Sequence, residues 1–335
     1  MSRSVIVDII NQTRAISQEG FGLALLFDPT SDFGYVEITD PEEIPEEAGE
    51  LAGTMAEQFF SQSPNSGTLA MAGVLVDVEP DNIGDALAEV SEDNSDWYAL
   101  LLASREQSEI EDAASWIPGN KIFITQPLEE DYDSLENYSL MFDNVGIFPH
   151  TEENDYDAAI AARMLTTDPG SATWKFKTLN GVDPNAYSSA DVSEMIDPEE
   201  GPAMNPYIRE KGTNLTAEGK SGNGTFLDIE RAIDWLTARL EENIFFQLVN
   251  NEKVAFVDED ISIITSAIDE ILQVAVDNGV IATDEEGVPI YEINVPSRAD
   301  VSTNDRANRK LAGIVVDAEV AGAVHTVSLT VYLNA

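Results

Sequence analysis

Between residues 69 and 148, short apolar runs alternate with segments of helical spacing, and this constrains the fold more than any other feature. "LAMAGVLVDV" leads into "DNIGDALAEVSED", with Asp81 as its expected N-cap. "WYALLLA" leads into "EQSEIEDAASWI", which Pro118-Gly119 ends. "KIFITQ" leads into a helical or turn segment, "DSLENYSLMF", and then "NVGIFPH". Strands separated by helices of this length predict β-α units and a mostly parallel sheet. Upstream, "SVIVDII" and "GFGLALLF" read as strands. "YVEITDPEEIPEEAGE" reads as a solvated acidic loop leading into a short helix.

After His150 the acidic "TEENDYD" marks a boundary and the composition changes. A helix is expected over "DYDAAIAARML", then a turn, then a strand over "TWKFKTL", where Trp174, Phe176 and Leu179 alternate with Lys175 and Lys177. Residues 183–224, rich in Pro, Gly, Asn and Ser, read as a long loop with little regular structure. Two amphipathic helices follow. Ile229, Ile233, Leu236, Leu240, Ile244 and Leu248 mark a face of the first, which starts at Asp228. Ile261, Ile264, Ile268, Ile271, Leu272 and Ala275 mark the second, with Asp260 as cap and Gly279 as stop. The chain closes with strand-like "YEINVP", a polar link, and two runs expected to form a hairpin, "LAGIVVDAEVAG" and "AVHTVSLTVYLNA". The expected class is α+β: an α/β domain with a mixed sheet over 21–152, an α+β core domain over 153–320, and strand-like arms over 1–20 and 321–335.

Charge restricts function. The chain carries 63 acidic and 17 basic residues, a net −46, with 43% hydrophobic content. It is therefore globular, not a disordered acidic tail. Such self-repulsion opposes compaction in dilute buffer. In molar salt the Debye length falls to roughly 3 Å and most of the repulsion is screened. With only seven lysines, the reading is a protein of a salt-adapted host; the alternative is an acidic cation-binding or surface protein. The charge argues against nucleic acid as a partner, because a phosphate footprint needs a basic patch. There is no cysteine, hence no disulfide and no thiolate site. Asp8 interrupts the N-terminal apolar run, unlike a signal peptide, and no stretch reaches the roughly 18 apolar residues of a membrane span. A soluble protein made in the cytoplasm is expected.

Motifs of catalysis are weak. Gly219-Lys220-Ser221 resembles the tail of a phosphate loop, but that pattern needs a glycine five residues before Gly219, where Asn214 stands. The segment reads instead as a flexible loop, with Lys220 a surface or intersubunit cation and its glycines a hinge. His150 and His325 lack companions at ligand spacing. Carboxylate pairs are too abundant to signal acid–base chemistry, and none fits an EF-hand. No cofactor is expected. The weakly basic stretch 298–310 concentrates Arg298, Arg306, Arg309 and Lys310. These either pair within the chain or meet the acidic surface of another copy.

Four segments carry a resemblance. "TRAISQEGFGLALLF", "DYDAAIAARMLTTDPGSATWKFKTLNGV", "GNGTFLDIERAIDWL" with the helix ending "AVDNGVI", and "AGIVVDAEVAGAVHTVSLTVYL" are similar, in this order, to stretches of contractile tail sheath proteins of myovirus-type phages. The chain departs from them in being far more acidic and rather short, which points to a salt-adapted, archaeal host and few outer decorations. The resemblance implies a non-enzymatic virion protein, assembled in the host cytoplasm. It implies a subunit that stacks as hexameric rings around a tail tube, meets baseplate and tail terminator proteins, and contracts to drive the tube through the host envelope. A sheath of a cellular contractile injection system, or an acidic cation-binding protein or enzyme, stays open. The resemblance further implies that the terminal arms add strands to neighbouring subunits. On this chain those strands are Val5, Ile6, Val7 and Ile9 at one end, and Val324, Val327, Leu329, Val331 and Leu333 at the other.

Overall fold

A computed structural model of the chain describes residues 18–76, 83–129, 132–151 and 154–326. Strand β1 (Ala24–Asp28) is buried along its whole length, so its sequence runs apolar without alternating until Asp28. It is followed by β2 (Phe33–Ile38), a 3-10 turn at Pro41–Glu43, α1 (Glu50–Ser61) and β3 (Leu69–Gly73). The series continues with α2 (Ile83–Asp93), β4 (Ala99–Leu102), α3 (Gln107–Trp116), β5 (Ile122–Thr125), α4 (Tyr132–Leu135) and β6 (Val145–Ile147). The expected N-cap, Asp81, lies outside the described residues.

The six strands form one sheet in the order β2-β3-β1-β4-β5-β6. Every neighbouring pair is parallel except β2–β3, which makes the sheet mixed as expected. "YVEI", read from sequence as the start of a solvated loop, is instead most of β2. It is an edge strand in which only Ile38 is fully buried, so its exposed positions tolerate the acids that disguised it. A register shift between Phe33 and Val36 blunts this edge. The opposite edge is capped by loop backbone: Gly222 N–H donates to Val145 O (2.9 Å) and Asn205 N–H to Ile147 O (2.9 Å).

The chain divides into two compact units. The sheet's unit also contains α5 (Tyr156–Met164), α6 (Ser189–Ile196), β7 (Tyr207–Glu210), β8 (Thr213–Thr216) and the first turns of α7 (Leu227–Asn250). Residues 183–224, expected to be a long loop with little regular structure, thus contain one helix and a β-hairpin. Ser188 and Asp191 form a capping box on α6. Lys211 and Gly212, both at positive φ, make the two-residue turn of the β7–β8 hairpin. The turn residues there punctuate short elements; they do not replace them.

"TWKFKTL" is not a strand. Phe176 adopts φ 63° and is 47% exposed while Trp174 is buried. Phe176 N–H donates to Thr216 O (3.0 Å) and Thr216 N–H to Lys177 O (3.0 Å), so a left-handed turn interrupts what alternation alone reads as a strand.

The second unit holds the rest of α7 from Leu236, α8 (Asp258–Asp277), β9 (Tyr291–Asn294), α9 (Thr303–Ala307) and β10 (Val315–Ala318). The face expected for α8 is the buried one at Ile261, Ile264, Ile268, Leu272 and Ala275, and Gly279 follows the helix at φ 74°. Asp260 is one turn inside the helix rather than its cap, accepting Ala255 N–H at 2.7 Å. The face expected for α7 is wrong in part. Ile233 and Leu248 are about half exposed, and the buried residues of its first half include Leu227, Arg231, Ala232 and Trp235. Apolar residues occur on two sides of this helix, and the buried side also carries an arginine, which masks it in a hydrophobic count. Among the described residues β10 pairs antiparallel with β9, Val316 opposite Ile293; most of the second run of the expected closing hairpin lies outside the described residues.

Candidate functional site

In a parallel sheet of this order, ligands bind where the strand order reverses, at the carboxyl ends of β1 and β4. Here both ends are taken up by the chain itself. Asp28 accepts from Thr30 N–H (2.9 Å), Thr30 O–H (2.7 Å) and Gly49 N–H (2.7 Å). Arg105, just past β4, pairs with Asp157 (2.7 Å) and Asp155 (3.1 Å) at the head of α5. Burial, then the charge of Asp157, raises the Asp155 pKa to about 6, with Arg105 opposing. Carboxylates and cation thus pair with one another within the chain. Among the described residues no group of three or more His, Cys, Asp or Glu side chains could hold a metal ion, and no helix is long and apolar enough to cross a membrane.

The GKS segment is neither flexible nor a phosphate loop. Ser221 is fully buried, and a β-carbon on Gly222 would sit 1.8 Å from Leu140 O. One on Gly219 would sit 2.5 Å from the Trp174 Cβ. These glycines permit close backbone approach rather than a hinge. Lys220, expected at the surface or between subunits, is held within the chain. Its Nζ donates to Ile196 O (3.1 Å) and lies 3.3 Å from Asp197, while its main chain is fixed by Asn205.

The first turns of α7 gather the two ends of the described chain. Arg231, 1% exposed, donates to Met164 O (2.9 Å), Thr167 O (3.2 Å) and Phe21 O (3.2 Å). Its guanidinium lies 5.8 Å from the Tyr98 ring, and burial lowers its pKa. Tyr98 donates its hydroxyl to Asp234 (2.7 Å) and stacks edge-on with Phe21. The "D-x-x-R-x-x-DW" pattern of this helix therefore closes the end of α5 and fixes the chain where it emerges at Phe21.

At the other end, His325 Nδ1 lies 2.6 Å from Glu218 Oε1 and its Nε2 lies 2.8 Å from Thr173 Oγ1. Phe226 packs edge-on against the imidazole at 5.0 Å. Glu218 also takes Lys175 at 3.0 Å. Burial raises the pKa of nearby Asp228, with the charge of His325 opposing.

Of the residues expected to join subunits, Val5, Ile6, Val7, Ile9, Val327, Leu329, Val331 and Leu333 lie outside the described residues. Val324 is 76% exposed. Arg298, Arg309 and Lys310 are exposed, and among the described residues none of the four cations of this stretch lies within an ion pair. Arg306 instead donates to the carbonyls of Arg298 (3.0 Å) and Val301. Sequence reasoning passed over His325 because it looked for a second histidine. The signal was elsewhere: Thr173, Phe226 and His325 each belong to a different one of the resembling segments.

No family model and no curated protein matches the chain by sequence. Solved structures do match its fold. The contracted helical sheath of the anti-feeding prophage superimposes with a TM-score of 0.74 at 11% identity, covering 99% of both chains. The contracted sheath of an extracellular contractile injection system, PVC, gives 0.72 at 11% identity, covering 100% of this chain and 98% of that one. A sheath tail protein of Listeria innocua gives 0.60 at 9%, covering 93% and 94%. The chain thus has the mixed α+β fold found in contractile sheath subunits, along essentially its whole length.

Proposed function

We propose that this protein is the subunit of a contractile sheath, a structural rather than catalytic component. It assembles in stacked hexameric rings around a tail tube and shortens to drive the tube through a host envelope. The fold likeness is the observation that carries the reading. The small sheet supports it: β9 and β10 form a two-stranded sheet, and among the described residues no third strand pairs with either. Open edges of this kind accept strands from other chains through main-chain hydrogen bonds. The terminal runs Val5–Ile10 and 324–333 are the strands we assign to that role. Such bonds persist while subunits move as rigid bodies. Exposed Arg298, Arg309 and Lys310 are assigned to contacts with an acidic neighbouring surface. The acid excess is assigned to a salt-adapted host, and the particle to an archaeal virus assembled in that host's cytoplasm.

The test is direct. In molar NaCl the purified protein should form rings or hollow tubes by negative-stain electron microscopy, whereas a stable monomer at high concentration with both termini intact overturns the reading. A second reading, a sheath of an extracellular injection system, is favoured by the kinds of structure that match. Neighbouring genes separate the two: terminase and capsid genes accompany a virus and are lacking beside an injection cluster.

A further inference from the structure

Three stretches far apart in sequence meet at the point where the C-terminal segment leaves the sheet-containing unit. Thr173 and Lys175 come from the left-handed turn before β7, Glu218 follows β8, and Phe226 precedes α7. His325 touches three of these. Nδ1 lies at ion-pair distance from Glu218, 2.6 Å, and Nε2 at hydrogen-bonding distance from Thr173, 2.8 Å, and Phe226 packs edge-on against the ring. The surroundings contrast sharply. Residues 321–324 and 326 are exposed, and His325 is the sole member of 321–326 that is not. Just before it, Ala321 N–H donates to Val280 O (2.9 Å). A single side chain thus pins an otherwise exposed segment.

We propose that His325 is a positioning residue for assembly: its clasp by Glu218, Thr173 and Phe226 fixes where the C-terminal arm departs and hence where it can reach on another copy. The proposal rests on the sheath reading. A charge-assisted contact in a partly buried site contributes more than a surface pair. Glu218 is itself oriented by Lys175, on its other oxygen. The Glu218 carboxylate lies within ion-pair distance of Nδ1 and the Thr173 hydroxyl within hydrogen-bonding distance of Nε2, so two side chains fix the ring from opposite edges. An untethered arm samples many directions, and the entropy of ordering it then opposes each intersubunit contact.

The experiment compares wild type, His325→Ala and His325→Asn in molar NaCl. Asparagine keeps a polar side chain that can meet one of the two partners but not both. Three quantities are read: thermal melting, the critical concentration for tubes, and hydrogen exchange over 319–326 in unassembled protein. For His325→Ala, melting is expected to stay near wild type, because the residue lies outside the buried core. Its critical concentration and its exchange rate over 319–326 should each rise about tenfold, the scale of one lost polar contact to a charged group. His325→Asn should recover much of both. His325→Ala tubes at the wild-type concentration overturn the proposal, as does unchanged exchange. Wild type that forms no tubes, while exchange still depends on His325, overturns the sheath reading and leaves the clasp standing.

Discussion

At the scale of single residues, the buried polar groups decide most. Arg231 satisfies three main-chain carbonyls from inside the fold. Arg231→Ala should cost about 4 kcal/mol, since three acceptors lose their donor in a buried site; chemical denaturation at constant high salt checks this. Gly222→Ala, with no room for a β-carbon, should cost about 3 kcal/mol by the same measurement. Asp155 sets a pH dependence. Its pKa rises from 3.8 unfolded to about 6 folded, so the folded state binds the proton more tightly. Stability is therefore gained as pH falls through 6 towards 4 and lost as it rises. Glu230, raised to about 7 by burial and then by Asp143 and Asp234, acts in the same direction. The melting temperature in molar salt should climb from pH 7.5 to 5.5, and Asp155→Asn should flatten that slope. Little of this was legible in the sequence. One carboxylate among 63 acidic residues carries no mark of burial, and Gly222 reads equally as flexibility or as close packing.

At the scale of elements, the alternation of 69–148 was legible because buried parallel strands leave apolar runs that helices separate. β2 was not, since an edge strand with one buried position looks like a loop. Nor was the β7–β8 hairpin, whose turn, Lys211-Gly212, departs from the commoner Asn-Gly signal. The candidate site was legible as motif blocks but not as a place, because Thr173, Glu218, Phe226 and His325 converge only through tertiary packing. One prediction belongs to this scale. Deleting 327–335 removes most of the proposed C-terminal arm strand while retaining the clasp at His325. Such a protein should melt like wild type yet form no tubes; tubes of normal appearance would remove the C-terminal strand from the account.

For the whole molecule, net charge dominates. A chain of −46 repels itself at long range, and salt shortens that range from roughly 10 Å at 0.1 M to 3 Å at 1 M. The melting temperature should therefore rise steeply between these concentrations and level off above them. A flat profile would remove the salt-adapted reading while leaving the fold untouched. The same screening keeps like-charged copies from repelling one another, so assembly should require salt as folding does.

The two histidines occupy opposite circumstances. His150 is 1% exposed, bonded to the Asp183 carbonyl at 2.8 Å, while His325 holds an exposed segment at its root. The chain contains no other imidazole. A side-chain nitrogen spectrum of the protein therefore has one reporter for its interior and one for the root of its C-terminal segment. Assembly should shift the second resonance and leave the first in place, so the molecule comes with its own internal reference.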